Sequence, residues 1–469
     1  MKSKFVLFAI LCLAAATLSA QKKKAGAAMS PYIDLKPENF LFKEGSVEFL
    51  EYKSQKAMKL AANSGQVVIK GVNFQDGTVE FDVESILPGF AQSIYFHRKD
   101  EKEQEIVYFR VTKIGMKLAN EAIQYTPYFD GINMWDMYPQ YQAPAPIKKG
   151  DWNHLKLVIS GKRMNVYVNG LPDPVLEIPE LEGRETDGTL AFDGASYIAN
   201  IQVRPGDTGG LSPLPAPDLS KNESNYIRQW ATTKPTELPS GNEVTQASMP
   251  ASSLFTETID AERMGLVSLT RKFGANPKRK VVWLRAVIEA ELDETINLGL
   301  GFSDEIWVFL NKQMVYVDKN LYQQGMAKYP KGRISYQNGT VPLVLKKGKN
   351  EITVAVANDF YGWGLIARLE NVDGLSSLDR FVPPPVVSIE NITRYTGTYS
   401  KPDAPIKLTF FEKDKELFAQ ASGQDAFRAE YRGHDLFEIE SLNVSLQFRP
   451  AEKSVVVKQN GTEQVFTRE

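Results

Sequence analysis

Apolar and acidic residues alternate with a period of two from Val79 to Glu84, directly after the turn dipeptide Asp76-Gly77. That period predicts a half-buried β-strand, with Val79, Phe81 and Val83 on one face and Glu80, Asp82 and Glu84 on the other. The same short pattern recurs, and strands are predicted at 67–69, 77–83, 93–96, 106–111, 154–160, 164–168, 189–192 and 198–203. Asn169-Gly170 and Asp187-Gly188 supply turns between them. Apolar periodicity stops at 206–220, where Gly and Pro dominate, and again at 377–388 around Pro383, Pro384 and Pro385. Two linkers therefore divide the chain into segments 31–206, 222–376 and 389–469, with 207–221 and 377–388 between them. The fold class expected is all-β: two β-sandwich (jelly-roll) domains followed by a small antiparallel β-barrel or meander.

Three resemblances sharpen this expectation. Gly150-Asp151-Trp152-Asn153-His154-Leu155-Lys156-Leu157, followed by Val166-Tyr167-Val168-Asn169-Gly170, resembles the concanavalin A-like lectin/glucanase superfamily in its laminin-G-like branch. The resemblance implies a sandwich, and that fold carries lectins, hydrolases and adhesion modules alike. Val308-Phe309-Leu310-Asn311, then Lys346-Lys347-Gly348-Lys349-Asn350-Glu351-Ile352-Thr353-Val354-Ala355-Val356, resembles the galactose-binding-like jelly roll. That module accompanies many secreted glycoside hydrolases. Tyr395-Thr396-Gly397-Thr398-Tyr399 and the closing Gln459-Asn460-Gly461 look like a lipocalin-like domain found after beta-lactamase-related serine hydrolases. No Ser-x-x-Lys hydrolase motif with partner motifs precedes it here.

Lys2 and Lys4 precede an apolar run that ends at Leu18-Ser19-Ala20, which reads as a cleaved secretory signal peptide over 1–20. The expected location is secreted, periplasmic or cell-surface, in a bacterium, with no transmembrane segment in the mature chain. The single cysteine, Cys12, falls inside the leader, so the mature chain has no thiol for disulfides, zinc or nucleophilic catalysis. Beyond the leader stand 53 basic and 57 acidic residues out of the chain's 55 and 57. This balance argues against a nucleic-acid partner. The partners expected are a glycan or polysaccharide, with other secreted proteins left open.

The row Glu80, Asp82, Glu84 looks like the catalytic strand of glycoside hydrolase family 16, which would make Glu80 the nucleophile, Glu84 the general acid and Asp82 an electrostatic helper. Cα atoms four residues apart on a strand are roughly 13 Å apart, whereas a retaining pair needs carboxyls about 5.5 Å apart. The solvated face of an ordinary strand explains the row better. An aromatic stretch from Gln124 to Tyr138 offers rings for stacking on sugars, or for roofing the core. The candidate carbohydrate-binding residues are Tyr95, Arg110, Tyr125, Tyr128, Trp135, Tyr138 and Trp363. Arg98 and Arg110 are expected to pair with Glu103 or Glu105. His97, His154 and His434 show no metal-ligand spacing, and no cofactor is expected. A structural calcium ion on Asp130, Asp136 or Asp193 is left open. The leading expectation is a non-catalytic, multi-domain carbohydrate-binding protein. The alternatives are a glycoside hydrolase working through Glu80 and Glu84, or a partner-binding scaffold.

Overall fold

The computed structural model describes residues 31–274, 277–322, 325–383, 391–402 and 404–469. The leader expected at 1–20 lies outside the described residues, as do positions 384–390 of the proline-rich stretch and its surroundings. The architecture is all-β: two pairs of sheets and a closed antiparallel barrel. No helix among the described residues is long and apolar enough to cross a membrane.

The first pair is a seven-stranded and an eight-stranded sheet. Strand Gly77–Ser85 lies between Asn153–Ser160 and Ser196–Pro205 in the seven-stranded sheet. Its Val79, Phe81 and Val83 are buried with Leu155 and Leu157, and they pack against Ile94, Phe96, Val107 and Phe109 of the other sheet. Burying each such side chain stabilises the fold by about 1.5–3 kcal/mol relative to exposure. The eight-stranded sheet is built around Ala91–Arg98, Gln104–Arg110 and Ile123–Phe129. Here both faces are apolar. Val107 and Phe109 enter the core, while Ile106 and Tyr108 join Val68, Tyr95 and Ala191 in a separate cluster on the outer face. A strand covered on both sides reads as a continuous apolar run, as Ile106-Val107-Tyr108-Phe109 does.

In the second sandwich the long strands Lys280–Ala290 and Gly348–Ala357 pair along their whole length, from Val281↔Ala357 to Ala290↔Gly348. Strand Glu305–Leu310 pairs on the other side of Gly348–Ala357. Glu294–Ser303, Gly339–Leu345 and Gly364–Leu369 belong to the facing four-stranded sheet. Asn311 turns the chain after Glu305–Leu310 with a left-handed backbone (φ 48°), and its amide bonds Asn350 at 2.9 Å. The motif Asn311 belongs to is therefore a turn device. Strand Leu375–Arg380 also pairs with Lys280–Ala290, so the sheet runs into the segment whose composition suggested a spacer. The eight barrel strands run from Gly397–Ser400 to Thr462–Arg468 and close through Tyr399↔Arg468.

The Gly- and Pro-rich residues after 206 are held against the first sandwich. Thr78 donates to the Asp207 carbonyl at 2.5 Å, Lys162 N–H to Pro213 at 2.9 Å and Ala216 N–H to Pro179 at 2.9 Å. The two sandwiches meet at a glycine notch. A Cβ on Gly362 would stand 2.3 Å from Met137 Cγ, and one on Gly364 would stand 2.4 Å from the Val267 carbonyl oxygen and 2.6 Å from Met137 Cε. The barrel docks on the second sandwich through Arg285. This residue is fully buried, stacks over Phe255 and Phe381, and reaches Glu440 at 3.4 Å and Glu351 at 3.5 Å.

The notch predicts an asymmetry between glycines. Gly364→Ala should lower stability by about 1–3 kcal/mol, because a backbone oxygen cannot swing away. Gly325→Ala, which meets open space, should leave stability unchanged. Denaturant unfolding of the two variants measures the difference.

Candidate functional site

The outer face of the eight-stranded sheet is the floor of a cleft of about 520 Å³. Tyr95, Ile106, Tyr108 and Arg110 come from the central strands, and Tyr128, Asn133 and Trp135 from the aromatic stretch. Phe90 stands on one rim, 71% exposed. The opposite wall belongs to the second sandwich: Tyr322, Phe360 and Tyr361. The rings are interlocked. Trp135 meets Tyr322 edge-on at 4.8 Å and Tyr361 at 6.0 Å, and Tyr95 meets Tyr128 edge-on at 6.2 Å.

A polar ladder fixes the floor. Arg110 Nη2 donates to Gln124 Oε1 at 2.8 Å and to the Tyr108 hydroxyl at 3.0 Å, and Tyr108 itself donates to Gln124 at 2.8 Å. Gln124 Nε2 donates to the Trp135 carbonyl at 2.8 Å, and Asn133 accepts from Trp135 N–H at 3.0 Å and donates to Tyr128 at 3.2 Å. Burial pushes the Tyr108 phenol up to about 12, so its proton stays in this ladder at neutral pH. Asp193 closes one end. Burial raises its carboxyl, against the pull of the Gly194 N–H that it accepts at 2.6 Å.

Four of the seven candidate binding residues thus line the cleft: Tyr95, Arg110, Tyr128 and Trp135. Tyr125 and Tyr138 are buried in the first core and Trp363 in the second. Trp363 is flanked by glycines for a reason unrelated to exposure, since Gly362 and Gly364 make room for Asp136 and Met137. Tyr108, Asn133 and Asp193 also line the cleft without having been named as sugar-binding candidates, and the sequence reading did not single out Phe90, Tyr322, Phe360 or Tyr361 at all. The unbroken apolar run through Tyr108 was the available signal for the floor. Nothing local in the sequence points to the wall from the second sandwich.

The acidic row sits elsewhere, on the outer face of the seven-stranded sheet, and each member has its own partner. Glu80 accepts from Arg204 at 2.6 Å, and Asp82 bonds His154 at 2.8 Å and accepts from Asn200 at 2.6 Å. Glu84 accepts from Lys53 at 2.6 Å and from Tyr52 at 3.1 Å. None of the three lines the cleft. The pairing expected for the arginines is corrected by the structure. Glu105 is buried against His97 Nδ1 at 2.8 Å and the Tyr125 hydroxyl, and Glu103 pairs with Arg184 at 2.6 Å. Arg98 instead bonds Gln66 at 2.5 Å, and Arg110 is left with neutral partners. Asp130 stands near Arg184, Asp136 beside Ser303 and Asp193 in the cleft. Among the described residues no group of three or more His, Cys, Asp or Glu is placed to hold a metal ion.

Behind the cleft wall two buried acids face each other across the junction. Ser303 donates toward Asp136 at 3.4 Å and Asp304 at 3.0 Å, and Asp304 accepts the Phe360 N–H at 2.7 Å and the Asp359 N–H at 2.5 Å. Burial raises both carboxyls: Asp304 to about 7, and Asp136 well above its ordinary range, with the Asp304 charge adding to the effect.

No protein-family model matches the chain, and no curated protein matches it. Solved structures similar to it include the carbohydrate-binding module CBM66 from Bacillus subtilis, at 14% identity and a TM-score of 0.26, covering 35% of this chain and 92% of that one. A putative glycosyl hydrolase from Parabacteroides distasonis is 12% identical at a TM-score of 0.27, covering 36% and 94%. CG-16, a homodimeric agglutinin from chicken liver, is 17% identical at a TM-score of 0.23, covering 29% and 98%.

The buried acids set a pH dependence. Their folded-state values lie above the ordinary 3.8, so between about pH 4 and 7 the folded protein holds protons that the unfolded chain has lost. Their contribution to stability is therefore best in acid and worsens as pH rises through about 7. Asp136→Asn keeps the shape and removes a charge. It should raise the melting temperature at pH 8 and leave it nearly unchanged at pH 4. Thermal unfolding across that range tests this, and the slope from Glu182, also raised to about 7 by burial, should persist in the variant.

Proposed function

We propose that the chain is an exported, non-catalytic carbohydrate-binding protein whose glycan site is the cleft between the two sandwiches. The observation that carries this reading is the lining: aromatic rings from both sandwiches around a floor whose polar groups already have fixed directions. A pyranose offers an apolar C–H face and a rim of hydroxyls. Rings such as Phe90, Tyr128 and Tyr361 match the face, and Arg110, Asn133 and Asp193 match the rim. The preformed ladder of Arg110, Gln124 and Asn133 reduces the ordering cost of binding. The leader over 1–20 supports export, and attachment to an extracellular or periplasmic polysaccharide follows from the two readings together.

The neutralised acidic row favours binding over hydrolysis. A retaining pair needs one carboxylate free to attack and another free to carry a proton. Glu80 and Glu84 are each engaged by a different cation.

A panel of polysaccharides, read by affinity electrophoresis and calorimetry, tests the proposal. Phe90→Ala removes a rim ring with little burial to lose, and Tyr361→Ala removes a half-buried one that packs on Trp135 and Phe360. Each should weaken binding about fivefold, which corresponds to roughly 1 kcal/mol. Glu80→Gln should leave binding intact. Sugar release that Glu80→Gln abolishes would establish the hydrolase instead, and a panel with no hits would favour the scaffold.

A further inference from the structure

Two guanidinium groups lie over the Trp135 ring, Arg110 at 5.9 Å and Arg333 at 5.0 Å from its centroid. Neither makes a salt bridge among the described residues. Arg110 spends its hydrogen bonds on the neutral Gln124 and Tyr108, and its Nε is buried without a partner. Arg333 is only 9% exposed, its Nε is likewise buried without a hydrogen-bond partner, and its side chain lies against the Trp135 ring, with Glu121 attracting its charge without a salt bridge. Burial, and then the charge of Arg110, works against its protonated form.

The neighbouring acids are committed elsewhere. Glu121 pairs with Lys113 at 2.7 Å, Glu105 with His97 at 2.8 Å and Glu103 with Arg184 at 2.6 Å. Asp193, at the other end of the cleft, accepts from the Gly194 N–H and is itself disfavoured as an anion by burial. Two cations near one ring with no carboxylate in direct contact among the described residues are costly in a partly dry site, because buried charges are ordinarily paired. Elsewhere on the same domain the charges are matched, as the pairs of Glu80, Asp82 and Glu84 show.

We infer that the missing counter-charge belongs to the ligand, and that the cleft takes an anionic saccharide whose carboxylate or sulfate meets Arg110 while its ring stacks on the cleft aromatics. This rests on the glycan reading above and adds the charge of the glycan. Arg110 lines the cleft and touches the anion. Arg333 acts from beside Trp135, as a positioning residue that raises the local potential. The chain as a whole offers polyanions no net attraction, since its formal net charge is −2, so charge-driven binding requires a local site of this kind.

The experiment measures binding of the full mature chain to polygalacturonate, to its methyl ester, to dextran sulfate and to neutral dextran, at low and high NaCl. The expected result is at least a tenfold preference for an anionic polymer over its neutral counterpart, reduced by salt. Polygalacturonate and dextran sulfate distinguish a carboxylate from a sulfate ligand. Arg110→Gln should abolish that preference and flatten the salt dependence while weak neutral binding remains. Arg333→Met keeps an apolar stem over Trp135. It should lower the anionic-to-neutral ratio without lowering the melting temperature, whereas a merely structural Arg333 would lower the melting temperature and leave the ratio alone. Equal binding to charged and neutral polymers overturns this inference and leaves the glycan site standing. Binding to none of them, charged or neutral, overturns both.

Discussion

Met137 enters the second sandwich at the one place where two glycines leave room for it. The fit is tight on both sides: Gly362 and Gly364 each lie where a methyl group would collide with Met137, and Gly364 also abuts the Val267 carbonyl. Because the chain continues directly from Phe360 and Tyr361 into this notch, the depth of Met137 fixes the height of the cleft's far wall. Trp135, two residues earlier, is thereby brought edge-on to Tyr322 and Tyr361. The cleft is thus a consequence of packing between domains, and neither sandwich carries it alone.

Charge is distributed unevenly around this contact. On the outer face of the seven-stranded sheet every acid of the 80–84 row is matched within hydrogen-bonding distance by a cation or a neutral donor. Such partly exposed pairs contribute little to stability, about 0–1 kcal/mol each, and they leave no unmet electrostatic demand. In the cleft the situation is reversed. Arg110 is oriented by Gln124 and Tyr108, which hold its geometry but do not cancel its charge. A surface that has satisfied itself has little reason to bind. A surface whose groups are rigid and uncompensated keeps an electrostatic demand, and the proposed site is where this protein keeps one.

The sheets were legible in the sequence because most strands bury one face, and period-two alternation records that directly. Val79, Phe81 and Val83 went inward as their spacing required. The strands of the last domain could be traced the same way, but the pattern fits a barrel and a meander alike, and the closure through Tyr399 and Arg468 rests on a pairing of the two ends that no local period records. Strand Ile123–Phe129 was harder to see, because six of its seven residues are buried and the aromatic run resembles a loop designed for exposure. The floor of the cleft was partly visible for the converse reason: Tyr95, Tyr128 and Trp135 combine polarity with large rings, and Arg110 adds a cation among them. The opposite wall was not visible. Tyr322, Phe360 and Tyr361 lie some 200 residues downstream in sequence, and only the docking of one domain on another brings them near. Trp363 illustrates the ambiguity of local signals. Its flanking glycines fit an exposed ring and a packed one equally well, and here they mark a close approach of another chain segment.

The junction is stabilised and oriented by different forces. Apolar contacts such as those of Met137 supply non-directional attraction, which tolerates sliding. Directional groups remove that freedom. Arg271 donates to Glu262 at 2.6 Å and to the Tyr138 hydroxyl at 2.8 Å, and its Nη1 reaches the Glu182 carbonyl at 2.9 Å, so one side chain of the second sandwich reads two elements of the first. On the other side of Met137, Asp136 meets Ser303 and Asp304. Buried polar contacts of this kind add less stability than an apolar repacking would, and they penalise any displacement that leaves a charge or donor unpaired. Placed on both sides of the Met137 contact, they hold the two walls in register. That register lets rings from separate domains line a single cleft.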